Sequence, residues 1–243
     1  MENTKNNSLS SIIIGISLII CVVIFSTVFY KTRFTTDSLT VTGSASVKVV
    51  SDNAKFSGSF SRIVKVSQLK TGYEQIASDL IKVKAFLKEK GIDEKDITIS
   101  TVNMYENYNY DKNYQTEKEY TLSQNVEVFS TTDVNKITSL AQSTQDLINQ
   151  GVIFSTNQVE YYYSKLADVR VSLLSDAIKD AKARAEKMAE STGKNVGILK
   201  SASSGVVQVL PENSLEISDY GTYDTYKINK NIMVTVKASF GLK

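Results

Sequence analysis

The residues available for chemistry in this sequence are few, because the chain contains no histidine and a single cysteine, Cys21. Histidine is the usual general base at neutral pH and the commonest ligand of transition metals, so a Ser-His-Asp triad is excluded. One cysteine allows neither an intramolecular disulfide nor a cysteine zinc cluster. The sequence has no Gly-x-Ser-x-Gly elbow and no Ser-x-x-Lys signature with its partner motifs. We therefore predict no catalytic residue, no metal ligand and no cofactor.

The acidic run "DEKD" (93–96) is the segment that most resembles a calcium ligand set. It lacks the alternating oxygen ligands and the closing glutamate of a calcium loop, and it falls at a predicted turn between a helix and a strand. We interpret it as a solvated turn.

The pair Gly193–Lys194 raises the question of a nucleotide-binding loop. A phosphate loop needs a glycine five residues earlier and leads from a strand into a helix. Here Met188 stands five residues earlier, and the pair follows the helical pattern of "DAIKDAKARAEKMAE" (176–190). Gly193 is therefore predicted to end that helix, where a glycine tolerates a positive φ. The residues predicted to form the inner side of the helix are Leu166, Val169, Leu173, Ala177, Ala181, Ala185 and Met188.

Tyrosine is the residue type whose distribution is unusual, since eleven of the thirteen tyrosines fall in three groups. Tyrosine combines a large contact area with a polar tip and is enriched in recognition surfaces. The competing interpretation is that strands favour tyrosine and that half of these side chains face a core. The second group is 161–163. The predicted partner or assembly surface takes its residues from the first and third groups: Tyr105, Tyr108, Tyr110, Tyr114, Tyr220, Tyr223 and Tyr226.

An uncharged run of 20 residues, 11–30, predicts a transmembrane helix, since a helix of that length spans roughly the 30 Å of a hydrocarbon core. A cleaved signal peptide is the alternative, but the run is longer than a typical signal core and no small-x-small site follows it. We expect 1–10 to be cytoplasmic, 11–30 to be the anchor, 31–38 a tether, and 39–243 one extracytoplasmic α+β domain. This places the protein in the cell membrane with a single pass.

The pattern after the tether predicts an antiparallel sheet with helices packed on one face. Alternating residues over 39–66 predict a hairpin around the turn "SDN", and a strand over 96–110 is expected to form a long hairpin with 119–130. Helices are predicted from about 66 to 87, over 131–151 with Ile148 on the inner side, and from about 165 to 192. Further strands are expected at 152–164, 196–203 and 230–241, the last after a loose loop.

These segments resemble the SIMPL domain family, which includes bacterial periplasmic immunogenic and oxidative-stress-associated proteins. The matching segments are "LTVTGSASVKVVSDNAKF", "LKEKGIDEKDITISTVNMYENYNY" and "LLSDAIKDAKARAEKMAESTGKNVGILKS", and the resemblance covers 39–243. One departure is the turn "SDNAK", where the family often has Lys-Pro-Asp-x-Ala. The resemblance implies an α+β fold and export, some relatives assemble into large rings, and no catalytic residue is carried over from it.

Three functions remain open from the sequence. The first is a non-enzymatic, membrane-tethered domain that acts by self-association or by binding an envelope protein, with a role in envelope integrity or stress tolerance implied by the resemblance alone. The second is a hydrolase of envelope polymers that uses carboxylates, and the third is an adaptor subunit for another membrane protein. The net charge of +2 with mixed signs throughout shows no basic face, so nucleic acid is not an expected partner.

Overall fold

The computed structural model describes residues 3–34, 37–107, 117–130, 133–214 and 218–243. Its helices and strands, in chain order, are α1 (Asn3–Phe34), β1 (Ser38–Val50), β2 (Asn53–Lys65), α2 (Leu69–Glu89), β3 (Ile97–Ile99), β4 (Asn103–Asn107), β5 (Glu119–Ser130), α3 (Val134–Gln142), α4 (Gln145–Asn149), β6 (Phe154–Thr156), β7 (Glu160–Tyr162), α5 (Leu166–Glu190), β8 (Val196–Ser204), β9 (Gln208–Pro211), β10 (Thr222–Tyr223) and β11 (Asn229–Leu242). The predicted α+β class with a preceding apolar helix is confirmed.

The strands form two sheets. In the first sheet the order is β1-β11-β9-β10, and β8 also pairs with β11. In the second the order is β3-β5-β2-β6, with β4 on β5 and β7 on β2. The chain divides into two compact units: one contains the chain up to Ala45 with Leu174–Gly205 and Thr235–Lys243, and the other contains Ser46–Leu173 and Val206–Val234.

The predicted hairpin over 39–66 is wrong, because β1 belongs to the first sheet and β2 to the second. Two residues, Ser51 and Asp52, connect the strand in the first sheet to the strand in the second. The backbone N–H of Ser51 donates to the carbonyl of Ile228, and that of Asp52 donates to the carbonyl of Tyr162. Alternation of apolar and polar residues reports which face of a strand is buried, but not which strand lies beside it. The hairpin of β4 and β5 is formed as predicted, with Asn103 opposite Ser123.

The larger unit has a core between the second sheet and helices α2 and α3. Phe56 and Phe60 of β2 are fully buried, and their ladder partners are Val128 and Gln124 on β5. The side chain of Asp133 accepts the backbone N–H of Lys136 and caps the start of α3, within the helix predicted over 131–151. The helix predicted over 131–151 is interrupted after Gln142, which gives α3 and the short α4.

The interruption changes which face of the second segment is buried. Leu147 is fully buried, whereas Ile148, predicted to lie on the inner side, is 56% exposed. A regular helical repeat continued from α3 therefore assigns the wrong residue, because the break resets the rotation of the chain.

In the smaller unit the carboxyl-terminal part of α5 packs on the first sheet through alanines. Ala177, Ala181 and Ala185 are fully buried against residues such as Val41 and Phe240. The predicted inner residue Met188 is 52% exposed, and Ala189 is buried in its place. From Leu173 onwards every fourth residue of the helix is buried. Met188 is only three residues after Ala185, so it lies off the buried face.

The close packing of this helix depends on Gly43 of β1. A Cβ atom at Gly43 would lie 2.2 Å from the carbonyl oxygen of Ala177 and 2.4 Å from the backbone nitrogen of Ala181. Gly193 ends the helix with a φ of +72°, as the capping interpretation predicted. It is not part of a phosphate loop, because it follows the helix.

The predicted anchor lies within α1. The stretch Ser10–Thr32, 23 residues long, is apolar enough and long enough to cross a membrane. Its apolar side chains are exposed, for example Phe25 at 70%. This exposure separates the helix from a buried core helix, in which such residues would be covered.

Candidate recognition surface

The third tyrosine group lies on a segment that we call the tyrosine loop, residues 218–228. Tyr220 is 97% exposed, Tyr226 is 56% exposed and Tyr223 is 38% exposed. Exposed aromatic side chains of this size present apolar area to solvent that a partner can cover.

Backbone hydrogen bonds hold the tyrosine loop on two sides. The N–H of Asp224 donates to the carbonyl of Val209 on β9 at 2.8 Å, and the N–H of Tyr161 on β7 donates to the carbonyl of Thr225 at 2.7 Å. Strand β10 within the loop pairs with β9 in parallel, with Tyr223 opposite Val209. The middle of the tyrosine loop is therefore hydrogen-bonded to β9 on one side and to β7 on the other.

A buried ion pair lies beneath the tyrosine loop. Lys230 at the start of β11 has no exposed side-chain area, and its ammonium nitrogen is 3.5 Å from a carboxylate oxygen of Asp224, whose side chain is 9% exposed. The same ammonium group donates to the backbone carbonyl of Asp224. Burial lowers the pKa of Lys230, and the charge of Asp224 opposes that shift.

The carboxylate of Asp224 also organises the backbone that follows it. Its two oxygens accept the N–H groups of Tyr226 at 3.2 Å and Lys227 at 3.1 Å. This arrangement of an aspartate over the next residues is the usual way that an Asx turn is stabilised. Lys230 thus neutralises the residue that shapes the carboxyl-terminal half of the loop.

The second tyrosine group contacts the third. The rings of Tyr162 and Tyr223 are 6.0 Å apart, and the backbone N–H of Tyr163 donates to the hydroxyl oxygen of Tyr223 at 3.2 Å. The pKa of Tyr162 is raised, first by burial and then by its hydrogen bond to Glu160. The predicted surface did not include 161–163, and only the fold, which places β7 and the residue after it beside the loop, shows that they support it.

A cleft of about 440 Å³ lies next to the loop. Tyr161 and Tyr226 contribute aromatic walls, and Glu212 and Asn213 contribute polar groups. The carboxylate of Glu212 is held by the ammonium group of Lys48 at 2.6 Å.

Tyr105 lies in a different region of the same unit. It is opposite Thr121 on β5, which in turn is opposite Ile63 on β2, whereas Tyr162 is opposite Asn53 on β2. Ten residues of strand separate these two positions, which is about 33 Å. Tyr105 is 54% exposed but is not continuous with the tyrosine loop. Tyr108, Tyr110 and Tyr114 lie outside the described residues.

Three carboxyl groups of the described residues, those of Asp37, Glu117 and Asp180, have a shifted pKa. Where a carboxyl pKa departs from its ordinary value it is lowered, as for Asp37 by Lys194 and for Asp180 by the backbone N–H of Ser44. No group of three or more histidine, cysteine, aspartate or glutamate side chains in the described ranges could hold a metal ion.

The described residues define an α+β protein with two sheets, an apolar amino-terminal helix and an exposed tyrosine loop. Residues 39–240 match the model of the SIMPL family, whose description is "Protein of unknown function (DUF541)". The chain therefore belongs to the SIMPL family. A comparison with curated proteins finds no match.

Proposed function

We propose that this SIMPL protein is anchored in the cell membrane by α1, with the remainder extracytoplasmic, and that it acts by self-association or by binding an envelope protein. The observation that carries the proposal is the tyrosine loop: Tyr220 and Tyr226 project into solvent from a segment that backbone bonds and a buried ion pair hold in place. A surface that is already ordered loses little conformational entropy when a partner covers it.

The shifted carboxyl groups give no support to the alternative of a hydrolase that uses carboxylates. A hydrolase that works with two carboxylates needs one of them to stay protonated near neutral pH, which requires a raised pKa. In the described part of the chain the shifted carboxyl groups, Asp37, Glu117 and Asp180, are all shifted downwards. A role in envelope integrity or stress tolerance extends this proposal and rests on the resemblance alone.

The test is the mass of the full-length protein in mild detergent, measured by light scattering, together with crosslinking on intact cells. The double variant Tyr220→Ser/Tyr226→Ser removes the two most exposed rings of the loop. We expect it to reduce the mass to that of a monomer, or to remove a crosslinked product, while the protein stays folded.

Tyr105→Ser is the matched control, because it removes a ring of similar exposure from the distant strand β4. It should change neither mass nor products. If the loop variant and the wild type give the same mass and the same products, the tyrosine loop is not the recognition surface and the proposal fails.

The membrane placement has a separate test. Ser203→Cys introduces a thiol on the exposed strand β8. A thiol reagent that does not cross membranes should label this variant on intact cells, while a chain with the opposite orientation would be labelled only after lysis. If the protein remains in the supernatant after the membranes are sedimented in the absence of detergent, the membrane anchor is contradicted.

A further inference from the structure

A second cavity lies at the end of α2, away from the residues of the tyrosine loop, and has a volume of about 500 Å³. This is within the range of roughly 300–1,000 Å³ of small-molecule sites. Its apolar lining consists of Ile92, which is 8% exposed, and of Ile97 and Ile99, which pack against the core. A ligand in this cavity would therefore meet apolar side chains that are already held in position by the core.

Two lysines of α2 line the helix side of the cavity. Lys84 and Lys88 line it and are one helical turn apart, a spacing at which like charges destabilise a helix. The carboxyl-terminal dipole of α2 accounts for Lys88 in the last turn, but its effect does not reach Lys84.

The neighbouring lysines, unlike Lys84 and Lys88, form hydrogen bonds or ion pairs with other residues. Lys82 donates to the carbonyl of Gln150 and Lys136 to that of Gly91. Lys90 is paired with Asp146 at 3.0 Å. Within the described ranges no ion pair includes Lys84 or Lys88. Two exposed lysines one helical turn apart therefore line the cavity, and neither has an ion-pair partner in the described ranges.

The loop that follows the helix contributes two carboxylates to the same cavity. Asp93 and Glu94 line it next to Gly91, whose φ of +74° turns the chain back at the end of α2. The carboxylate of Asp93 is 3.4 Å from Lys95, and both side chains are largely exposed. Glu94 makes no ion pair within the described ranges.

We infer that this cavity binds a small zwitterion with an apolar body, of the class of apolar amino acids and short apolar peptides. The carboxylate of the ligand is held by Lys84 and Lys88, its ammonium group by Asp93 and Glu94, and its side chains by the isoleucines. Charge-assisted hydrogen bonds at both ends supply orientation, and the apolar lining supplies affinity. The lining charges sum to zero, so a ligand with a single net charge leaves one pair of side chains unmatched.

The experiment is calorimetric titration of the full-length protein in lipid nanodiscs, with empty nanodiscs as the blank. The probes are the dipeptide Leu-Leu, N-acetyl-Leu-Leu, which lacks the ammonium group, and Leu-Leu-amide, which lacks the carboxylate. We expect Leu-Leu to bind and each blocked form to bind about tenfold more weakly, since each loses charge-assisted contacts.

Variants assign each end of the ligand. Lys84→Gln/Lys88→Gln should lower the affinity for Leu-Leu to that for Leu-Leu-amide, and Asp93→Asn/Glu94→Gln should lower it to that for N-acetyl-Leu-Leu. Lys182→Gln/Lys187→Gln on α5 makes the same change in net charge outside the cavity and should leave binding unchanged.

Three results would overturn the inference: no binding of Leu-Leu at millimolar concentration, equal affinity for the free and acetylated forms, or an equal loss in the α5 control. None of these depends on the tyrosine loop, so this inference and the proposed function can fail separately.

Discussion

Replacing Lys230 by methionine tests whether the buried ion pair holds the tyrosine loop. Methionine fills much of the same volume without the charge, and it leaves the carboxylate of Asp224 in a site that is 9% exposed. Breaking a buried pair by removal of one partner costs about 3–5 kcal/mol, because the remaining charge is uncompensated.

The structure places the expected loss at the lower end of that range. The carboxylate keeps the backbone N–H groups of Tyr226 and Lys227 after the ammonium group is removed. We therefore expect Lys230→Met to reduce the free energy of unfolding by about 3 kcal/mol. The double variant Lys230→Met/Asp224→Asn removes both charges and should recover most of that loss, since replacement of a whole buried pair by neutral groups is often close to neutral.

The assay is urea unfolding of the full-length protein in mild detergent, followed by circular dichroism, with amide hydrogen exchange over 218–228 as the local measurement. Lys237→Met on the same strand is the control, because Lys237 is exposed. It should change the free energy by no more than about 0.5 kcal/mol. A loss below about 1 kcal/mol for Lys230→Met, or no recovery in the double variant, would refute the reasoning.

Two further predictions concern the packing of α5 in the smaller unit. Gly43→Ala should reduce the free energy of unfolding by at least about 2 kcal/mol, because the new Cβ meets backbone atoms 2.2 Å and 2.4 Å away. The measurement is urea unfolding, and the control is Thr42→Ala at the exposed neighbouring position. Asp180 accepts the N–H of Ser44, which lowers its pKa, so its stabilisation is present above its ordinary value of 3.8 and is lost as the pH falls through the lowered value. Asp180→Asn removes the Ser44 contact together with the ion pair to Arg184, and it should therefore flatten the dependence of unfolding free energy on pH in this acidic range. An unchanged slope, or the same change in Asp176→Asn on the same helix, would show that these contacts are not its cause.

Local sequence was sufficient wherever a feature depends on a few adjacent residues. A helix that begins near 131, the end of α5 before Gly193 and the apolar helix α1 were predicted and are formed, and Asp133 caps the first of them. Each follows from a cap, a left-handed glycine or an uninterrupted apolar run, and none needs information about a distant partner.

The sequence failed where the outcome depends on a partner far along the chain. Strand β1 pairs with β11 and not with β2, although Val50 and Asn53 are almost adjacent in sequence. The short strands β9 and β10 were predicted as a loose loop, because four- and two-residue strands carry too little alternation to be recognised. The break between α3 and α4 was also not predicted, because the apolar spacing over 131–151 is that of one continuous helix.

In the candidate site, too, some residues were predicted from the sequence and others were found only in the structure. The exposed residues Tyr220 and Tyr226 were selected from composition, but Lys230 was not, because a lysine in a strand is ordinarily expected at the surface. The alternation of β11 places Lys230 on the face of the buried residues Ile232 and Val234 and places Lys237 on the opposite face, but only the fold shows that Asp224 lies beside Lys230.

The amino-acid sequence by itself determined the apolar amino-terminal helix, the α+β class and the absence of histidine chemistry, because these follow from composition and from short-range periodicity. The order of its motifs carried the resemblance to the SIMPL family. The tertiary structure alone decided which strands are neighbours, which tyrosines meet, and which lysine is buried with an aspartate. The physical reason is that backbone pairing and charge burial are long-range contacts: their energy depends on what the rest of the fold places beside a residue, and adjacent positions in the chain do not encode it.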